Sequence, residues 1–191
     1  MNIKDINLSV FDNFLLPHEC HYFIRSRESQ LTPSTVCNNT DGTPVADSVR
    51  TSTGSFFENI DDLYVKYLLW KISSFTRIEQ SHFEYIQILK YEVGQQYKPH
   101  HDFFFPNHTT QLAKGGQRLK TFLIYLNDVE LGGETYFPHY SALVKPMLGR
   151  AVVWDNVIAN NVNRKTLHAG LPVISGVKYV LTCWIRENVF A

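Results

Sequence analysis

The sequence predicts a mainly β fold with α+β character, in which N-terminal helices support a jelly-roll core. From residue 84 onward, the 191-residue chain consists of short runs of strand-forming residues separated by turn signals, as in sandwiches and jelly rolls. Helix-like patterns are confined to the first 83 residues. Because no helix separates the later runs, a parallel α/β fold is disfavoured. We therefore expect one domain over 1–191, with 1–83 as support and 84–191 as the core.

The N-terminal part shows one strand-like run followed by two helix-like runs. The strand covers about Asn7 to Phe11, and the first helix begins at Pro17, since proline is well suited to the first helical turn. The second helix begins near Asn59 or Asp61, where apolar residues recur at spacings of three and four. We expect its buried face to consist of Ile60, Leu63, Tyr67, Leu68, Ile72 and Phe75.

The segment between these helices, Leu31 to Gly54, is rich in Ser, Thr, Asn, Asp, Gly and Pro. Such a composition is typical of turns and loops. Long connections in compact domains are often lids or binding loops, or they carry short strands of their own. The sequence therefore predicts a mobile loop over 31–54.

The core half of the chain contains the β-like runs, and glycine-containing turns separate them. These runs are Glu84–Glu92, Leu119–Asn127, Glu134–Phe137, Arg150–Trp154 and Lys178–Arg186.

Composition disfavours several classes of function. Lysine plus arginine number 18, as do aspartate plus glutamate, so there is no basic excess of the kind that nucleic-acid binding requires. Cys20, Cys37 and Cys183 form no paired motif, which argues against a disulfide framework or a zinc knuckle. The first residues lack a basic leader with an apolar run, and no stretch is long enough to span a bilayer. We expect a cytoplasmic protein without a membrane or nucleic-acid partner.

The most informative motif is Pro99-His100-His101-Asp102. In an extended chain, residues i and i+2 point to the same face. His100 and Asp102 can therefore face a shared point while His101 is turned away, and the distant His168 could complete the set. Two histidines and one carboxylate on one face of a metal leave adjacent positions open, which is typical of non-haem Fe(II) oxygenases.

Lys178 begins a strand-like run whose two faces are both apolar enough to be buried. Burying an unpaired ammonium is very costly, so this lysine needs an anionic partner. The partner could be a protein carboxylate or a bound dicarboxylic acid, and the residues alone leave both open.

A series of motifs resembles, in order and nearly end to end, the prolyl 4-hydroxylases, which are 2-oxoglutarate- and Fe(II)-dependent dioxygenases. The motifs are Asp12–Leu15 with Glu19–Cys20, Arg50–Ser52, Tyr91–Asp102, Gly116–Arg118, Tyr125–Val129, Gly132–Pro138, His168–Val173, Gly176–Lys178 and Thr182–Arg186. The resemblance implies the double-stranded β-helix form of the jelly roll. It also implies that the loop over 31–54 is a substrate lid.

Carried over to this sequence, the family pattern makes His100, Asp102 and His168 the iron ligands. Lys178 becomes the salt-bridge partner of the distal carboxylate of 2-oxoglutarate, which gives the predicted buried lysine its anion.

The resemblance also assigns roles to residues around these groups. Those expected to line the cosubstrate pocket are Tyr91, Tyr125 and Thr182. Those expected near the peptide-substrate groove are Arg118 and Trp184. Arg186 is a departure, since some relatives that accept proline-rich peptides carry histidine at the matching position.

The function that the resemblance implies is hydroxylation of peptidyl proline at C4, with 2-oxoglutarate converted to succinate and CO2. The implied cofactors are Fe(II), 2-oxoglutarate, O2 and ascorbate, and the implied partner is a proline-containing peptide or protein. Three alternatives stay open: the same chemistry on another residue or a free amino acid, a non-catalytic jelly-roll binding module, and a zinc hydrolase. The binding module would be favoured by a substituted ligand position, and the hydrolase lacks an obvious general-base glutamate and a purpose for Lys178.

Overall fold

Antiparallel strands dominate the computed structural model, which describes residues 1–38 and 40–191. The helices are α1 (Pro17–Arg27), α2 (Leu63–Thr76) and α3 (Thr109–Leu112). Short 3-10 turns occur at Lys4–Ile6, Glu28–Gln30, Gln80–His82, Pro138–Tyr140 and Arg164–Thr166. The strands are β1 (Asn2–Ile3), β2 (Leu8–Phe11), β3 (Thr32–Pro33), β4 (Val36–Cys37), β5 (Pro44–Val45), β6 (Thr53–Phe57), β7 (Ile86–Tyr91), β8 (Tyr97–His100), β9 (Arg118–Tyr125), β10 (Leu131–Gly132), β11 (Thr135–Phe137), β12 (Ala142–Val144), β13 (Ala151–Asp155), β14 (Val157–Ile158), β15 (Asn161–Val162), β16 (His168–Gly170), β17 (Val173–Ser175) and β18 (Lys178–Arg186).

Two main sheets form the core. The larger has the order β1-β2-β13-β9-β18-β7-β6-β3, and the smaller has the order β12-β11-β16-β8. Apolar side chains of both sheets, among them Tyr125, Phe137 and Trp154, form one buried cluster between them. This is the expected mainly β jelly-roll core, and the five predicted core strands correspond to β7, β9, β11, β13 and β18, with ends that agree within two residues.

The N-terminal helices cover the outer face of the larger sheet. Cys20 and Phe23 of α1 and Leu68 and Ile72 of α2 share a second buried cluster with strand residues such as Phe122. Helix α1 begins at Pro17, as expected. This packing stiffens the sheet that carries one wall of the site.

The predicted buried face of α2 is wrong in part. Asp62 caps this helix by accepting hydrogen bonds from the backbone N–H groups of Tyr64 and Val65, so the helix begins at Leu63, after Ile60. Leu63 is 80% exposed, and three more of the proposed face residues are at least 43% exposed, namely Ile60, Tyr67 and Phe75. The face that packs on the sheet consists of Val65, Leu68, Leu69 and Ile72. The helix carries apolar residues of its own on most of its sides, so the spacing of these residues does not indicate which side is buried.

The segment 31–54 carries the short strands β3, β4 and β5 and leads into β6. Val36 pairs with Val45 and Cys37 with Pro44, so the middle of the segment is a hairpin. Asn39 within it lies outside the described residues. The described residues contain no helix with the length and apolarity that crossing a membrane requires.

Candidate active site

A cavity of about 440 Å³, including its open mouth, lies between the two main sheets. Residues of both sheets and of the segment 31–54 line it. They are Arg50, Leu89, Tyr91, Tyr97, His100, Asp102, Thr121, Leu123, Thr135, Trp154, His168, Gly170, Lys178, Val180, Thr182 and Trp184. Seven of the nine site residues expected from the sequence are in this set, and the other two, Tyr125 and Arg118, lie beside it.

Strand pairing brings the three candidate metal ligands together. His100 ends β8, and the antiparallel register of β8 with β16 sets His168 directly opposite it. Asp102 follows two residues after His100, beyond the end of the strand. The Nε2 atoms of His100 and His168 lie 3.7 Å from Oδ1 and Oδ2 of Asp102, respectively. One potential ligand atom from each of the three residues lies within 4.8 Å of the others.

Hydrogen bonds to the backbone fix both imidazole rings. Nδ1 of His100 lies 2.8 Å from the carbonyl of Lys98, and Nδ1 of His168 lies 2.9 Å from the carbonyl of Thr166. Because a carbonyl only accepts, each Nδ1 carries a proton, and Nε2 is the ring nitrogen that faces the cluster and is left to bind a metal ion. Tyr97 stacks on the His100 ring with centroids 3.4 Å apart, which further restricts that ring.

The protonation states of the cluster suit metal binding. Burial, and secondarily the proximity of His168, hold the pKa of His100 well below its usual range, so the ring is neutral at pH 7. Burial acts to raise the pKa of Asp102, but the two histidines, Arg118 and the Thr121 hydrogen bond outweigh it and lower that pKa to about 2. The carboxylate is therefore ionised.

His101 points away from this cluster. Its Nε2 lies 3.0 Å from the carbonyl of Arg164, and its ring packs against Phe103. The alternation that separates His100 from His101 is thus present in the structure, although Asp102 itself lies outside the regular strand.

Lys178 lies at the start of β18 and is only 3% exposed. Its Nζ donates a 2.7 Å hydrogen bond to the carbonyl of Gly133 and lies 5.0 Å from the ring centroid of Tyr91. Among the described residues, no carboxylate lies within ion-pair distance of it. Burial lowers its pKa to about 8, an effect that Glu134 only partly opposes. The described part of the chain therefore supplies a buried ammonium at the cavity wall without a protein counter-ion.

Of the remaining cosubstrate-pocket candidates, Tyr91 and Tyr125 lie beside Lys178, and Thr182 lies farther along β18. Tyr91 pairs with Lys178 across β7 and β18, and the hydroxyl of Tyr125 lies within the core between the sheets. That hydroxyl donates to the carbonyl of Val144, so at 2.6 Å it accepts the hydroxyl proton of Thr135. Thr182 is 5% exposed and lines the same cavity.

Arg118 and Trp184 form a rigid unit at the edge of the cavity. The Arg118 guanidinium makes two hydrogen bonds of 2.6 and 2.7 Å with the carboxylate of Glu84 and lies 3.7 Å above the Trp184 ring. Arg186 is fully buried, with its Nε 3.2 Å from the same carboxylate. Its terminal nitrogens donate to the carbonyls of Gly116 and Gln111, so these donors of Arg186 are already used in hydrogen bonds to the protein's own backbone.

Four polar residues near the cluster had no role in the sequence reasoning: Arg50, Tyr97, Thr121 and Asn156. Arg50 lies within one of the resemblance motifs and Tyr97 within the metal-binding motif, so a signal existed for both. Thr121 belongs to the same strand face as Tyr125, which would also have indicated it. Asn156 follows β13 and carries no local signal, because its partners come from distant strands.

Comparisons with known proteins identify the family of this chain. The family model described as the 2OG-Fe(II) oxygenase superfamily matches residues 86–186. Probable prolyl 4-hydroxylase 10 of Arabidopsis thaliana is 38% identical over 95% of this chain and 69% of its own length. Prolyl 4-hydroxylase 1 of the same plant is 36% identical over 94% of this chain and 68% of its own length.

Solved structures resemble the whole fold. The viral collagen prolyl hydroxylase of Paramecium bursaria Chlorella virus-1, determined as a 2OG complex, has a TM-score of 0.74 and 28% identity, covering 94% of this chain and 95% of that one. A Trichoplax adhaerens prolyl hydroxylase in complex with a peptide fragment has a TM-score of 0.68 at 18% identity and is similar in fold. On these matches, the chain belongs to the prolyl 4-hydroxylase family of the 2OG-Fe(II) oxygenase superfamily.

Proposed function

We propose that this protein is a 2-oxoglutarate- and Fe(II)-dependent dioxygenase that hydroxylates peptidyl proline at C4. In the reaction, one atom of O2 enters the substrate and the other enters succinate as 2-oxoglutarate loses CO2. The observation that carries the proposal is that one cavity combines a two-histidine, one-carboxylate cluster with a buried lysine for which the described part of the chain supplies no counter-ion. The names of the relatives, prolyl 4-hydroxylases, support proline as the target.

The iron ligands in this proposal are His100, Asp102 and His168. Two imidazoles whose Nδ1 atoms are held by backbone carbonyls, together with one ionised carboxylate, match the donor set of non-haem Fe(II) sites. Bound there, Fe(II) supplies the oxidative chemistry with O2 and 2-oxoglutarate, and ascorbate is the reductant that keeps the metal ferrous. The protein contributes two imidazole rings fixed by backbone hydrogen bonds, an ionised carboxylate and a largely apolar cavity.

Lys178 binds the distal carboxylate of 2-oxoglutarate. The lysine is already desolvated in the free protein, so it loses little further hydration when the dicarboxylate arrives. An adjacent carboxylate also favours the charged ammonium and raises its pKa again. Tyr91 and Tyr125 flank the ammonium with their rings, and Thr182 offers a hydroxyl in the same cavity.

Trp184 and Arg50 contact the peptide at the mouth of the cavity. Among the described residues, the Trp184 Nε1–H and the Arg50 Nε–H are buried without hydrogen-bond acceptors. A buried donor without an acceptor is costly, so both are suited to backbone carbonyls of an extended peptide. Arg118, locked by Glu84, holds the Trp184 ring in place.

The test is turnover of 2-oxoglutarate by the purified protein with Fe(II), ascorbate and proline-containing peptides. We expect succinate, together with a +16 mass shift on proline that amino-acid analysis identifies as 4-hydroxyproline. Asp102→Ala should abolish both products, whereas His101→Ala, which alters the neighbouring histidine that faces away, should retain them. A +16 shift on another residue, or on free proline alone, would overturn the substrate assignment. The oxygenase assignment itself would fail if no peptide or amino acid elicited succinate.

A further inference from the structure

A chain of buried hydrogen bonds runs from Trp154 to the carboxylate of Asp102. Nε1 of Trp154 lies 3.0 Å from Oδ1 of Asn156, and Nδ2 of Asn156 lies 2.9 Å from the hydroxyl of Thr121. That hydroxyl lies 2.6 Å from Oδ2 of Asp102. Trp154 and Asn156 are 0% exposed and Thr121 is 1% exposed, so water does not compete for these bonds.

The chemistry of the groups gives the chain one direction. An indole N–H only donates, so the oxygen of the Asn156 amide faces Trp154 and its NH2 group faces Thr121. The NH2 group only donates as well, so the Thr121 oxygen accepts from it. The single hydroxyl proton of Thr121 is then directed to Oδ2 of Asp102.

Asn156 is itself held rigidly at the end of β13. Its backbone N–H donates to the carbonyl of Leu119, and its own carbonyl accepts from the N–H of Asn163. The Trp154 ring also lies edge-on to the ring of His168, with centroids 4.7 Å apart. The same chain of residues therefore touches two of the three candidate metal ligands.

We propose that Asn156 is a positioning residue that acts through Thr121 to hold Oδ2 of Asp102, so that the carboxylate offers only Oδ1 to the metal. With Oδ2 engaged by Thr121, Asp102 would supply one oxygen to a metal ion, and a metal held by so few protein atoms would have room for 2-oxoglutarate and O2. This inference rests on the proposed function, because it assumes that Asp102 is a metal ligand.

The experiment measures Mn(II) binding to the metal-free protein by loss of the free Mn(II) electron paramagnetic resonance signal. Asn156→Leu and Thr121→Val each remove a link while keeping the number of side-chain heavy atoms, and each should weaken Mn(II) binding about 10- to 100-fold. Thr121→Ser keeps the hydroxyl and should retain affinity. Because Asn156 acts through Thr121, the double variant Asn156→Leu/Thr121→Val should bind no more weakly than Thr121→Val alone.

Asn127→Leu is the matched control, since Asn127 is also tied to the backbone by its amide but does not line the cavity. It should bind Mn(II) like the unaltered protein. Asn156→Ala, which adds neither charge nor bulk, covers the case in which Asn156→Leu does not fold. It removes the same donor to Thr121 and should also weaken Mn(II) binding about 10- to 100-fold.

The inference is overturned if Asn156→Leu binds Mn(II) as tightly as the unaltered protein, or if it weakens binding equally in the presence and absence of the Thr121 hydroxyl. Unchanged Mn(II) affinity in Asn156→Ala would also overturn it. If the unaltered protein binds no Mn(II) or Fe(II), the proposed function fails together with the inference. If the unaltered protein binds metal and turns over 2-oxoglutarate while the Asn156 variants match it, only the inference fails.

Discussion

Replacing Lys178 with methionine should stabilise the cosubstrate-free protein and at the same time impair its use of 2-oxoglutarate. The lysine is buried without a protein counter-ion among the described residues, and burial lowers its pKa from 10.5 to about 8. This difference corresponds to about 3 kcal/mol by which folding disfavours the ammonium. Methionine fills a similar volume without a charge, so the free energy of unfolding at pH 7 should rise by up to about 3 kcal/mol.

The stability difference between Lys178→Met and the unaltered protein should depend on pH. Because the pKa of Lys178 is lower in the folded state, the penalty is complete below pH 8 and disappears as the pH rises through 10.5. Urea unfolding of the metal-free protein should therefore show a stability advantage for Lys178→Met at pH 7 that shrinks by pH 10. A less stable methionine variant at pH 7, or an advantage independent of pH, would refute the reasoning.

Binding of the dicarboxylate should change in the opposite direction. Removing one partner of a buried ion pair costs about 3–5 kcal/mol, so the KM for 2-oxoglutarate should rise about 100-fold or more. Mn(II) affinity should stay within about twofold, because Lys178 is not among the grouped metal-ligand candidates. An equal loss of metal and 2-oxoglutarate binding would contradict the assigned role.

Two further predictions concern the framework of the site. Glu84→Gln leaves Arg118 and Arg186 without their shared carboxylate. The free energy of unfolding, measured in urea, should therefore fall by about 3–5 kcal/mol. A loss below about 1 kcal/mol would show that these two ion pairs contribute little. Leu68→Ala removes a buried side chain of α2 and should lower the free energy of unfolding in the same assay by about 2–5 kcal/mol. Leu63→Gln changes an exposed side chain and should change it by less than about 0.5 kcal/mol. Similar losses for the two variants would contradict the observed buried face.

The strands of the core and the first helix could be predicted because their signals are local. Lys178–Arg186 was identified with its observed ends, and Pro17 marked the start of α1. Strands β8 and β16 were not separately predicted, since β8 contains Pro99 and β16 spans only His168 to Gly170. Their strand character depends on tertiary pairing, of β8 with β16 and of β16 also with β11, which no local pattern records.

The kinds of side chain in the candidate site could be predicted from local sequence patterns. The i, i+2 spacing of His100 and Asp102 and the position of Lys178 on an apolar strand are properties of a few neighbouring residues. Other features depend on how the strands assemble: His168 lies opposite His100, no described carboxylate pairs with Lys178, and Asn156 reaches Asp102 through a second side chain. Side-chain alternation and apolarity are properties of a single strand and can be read from neighbouring residues. The contacts just named form between residues that are distant in sequence, so they depend on which strands pair and on which polar groups become buried together.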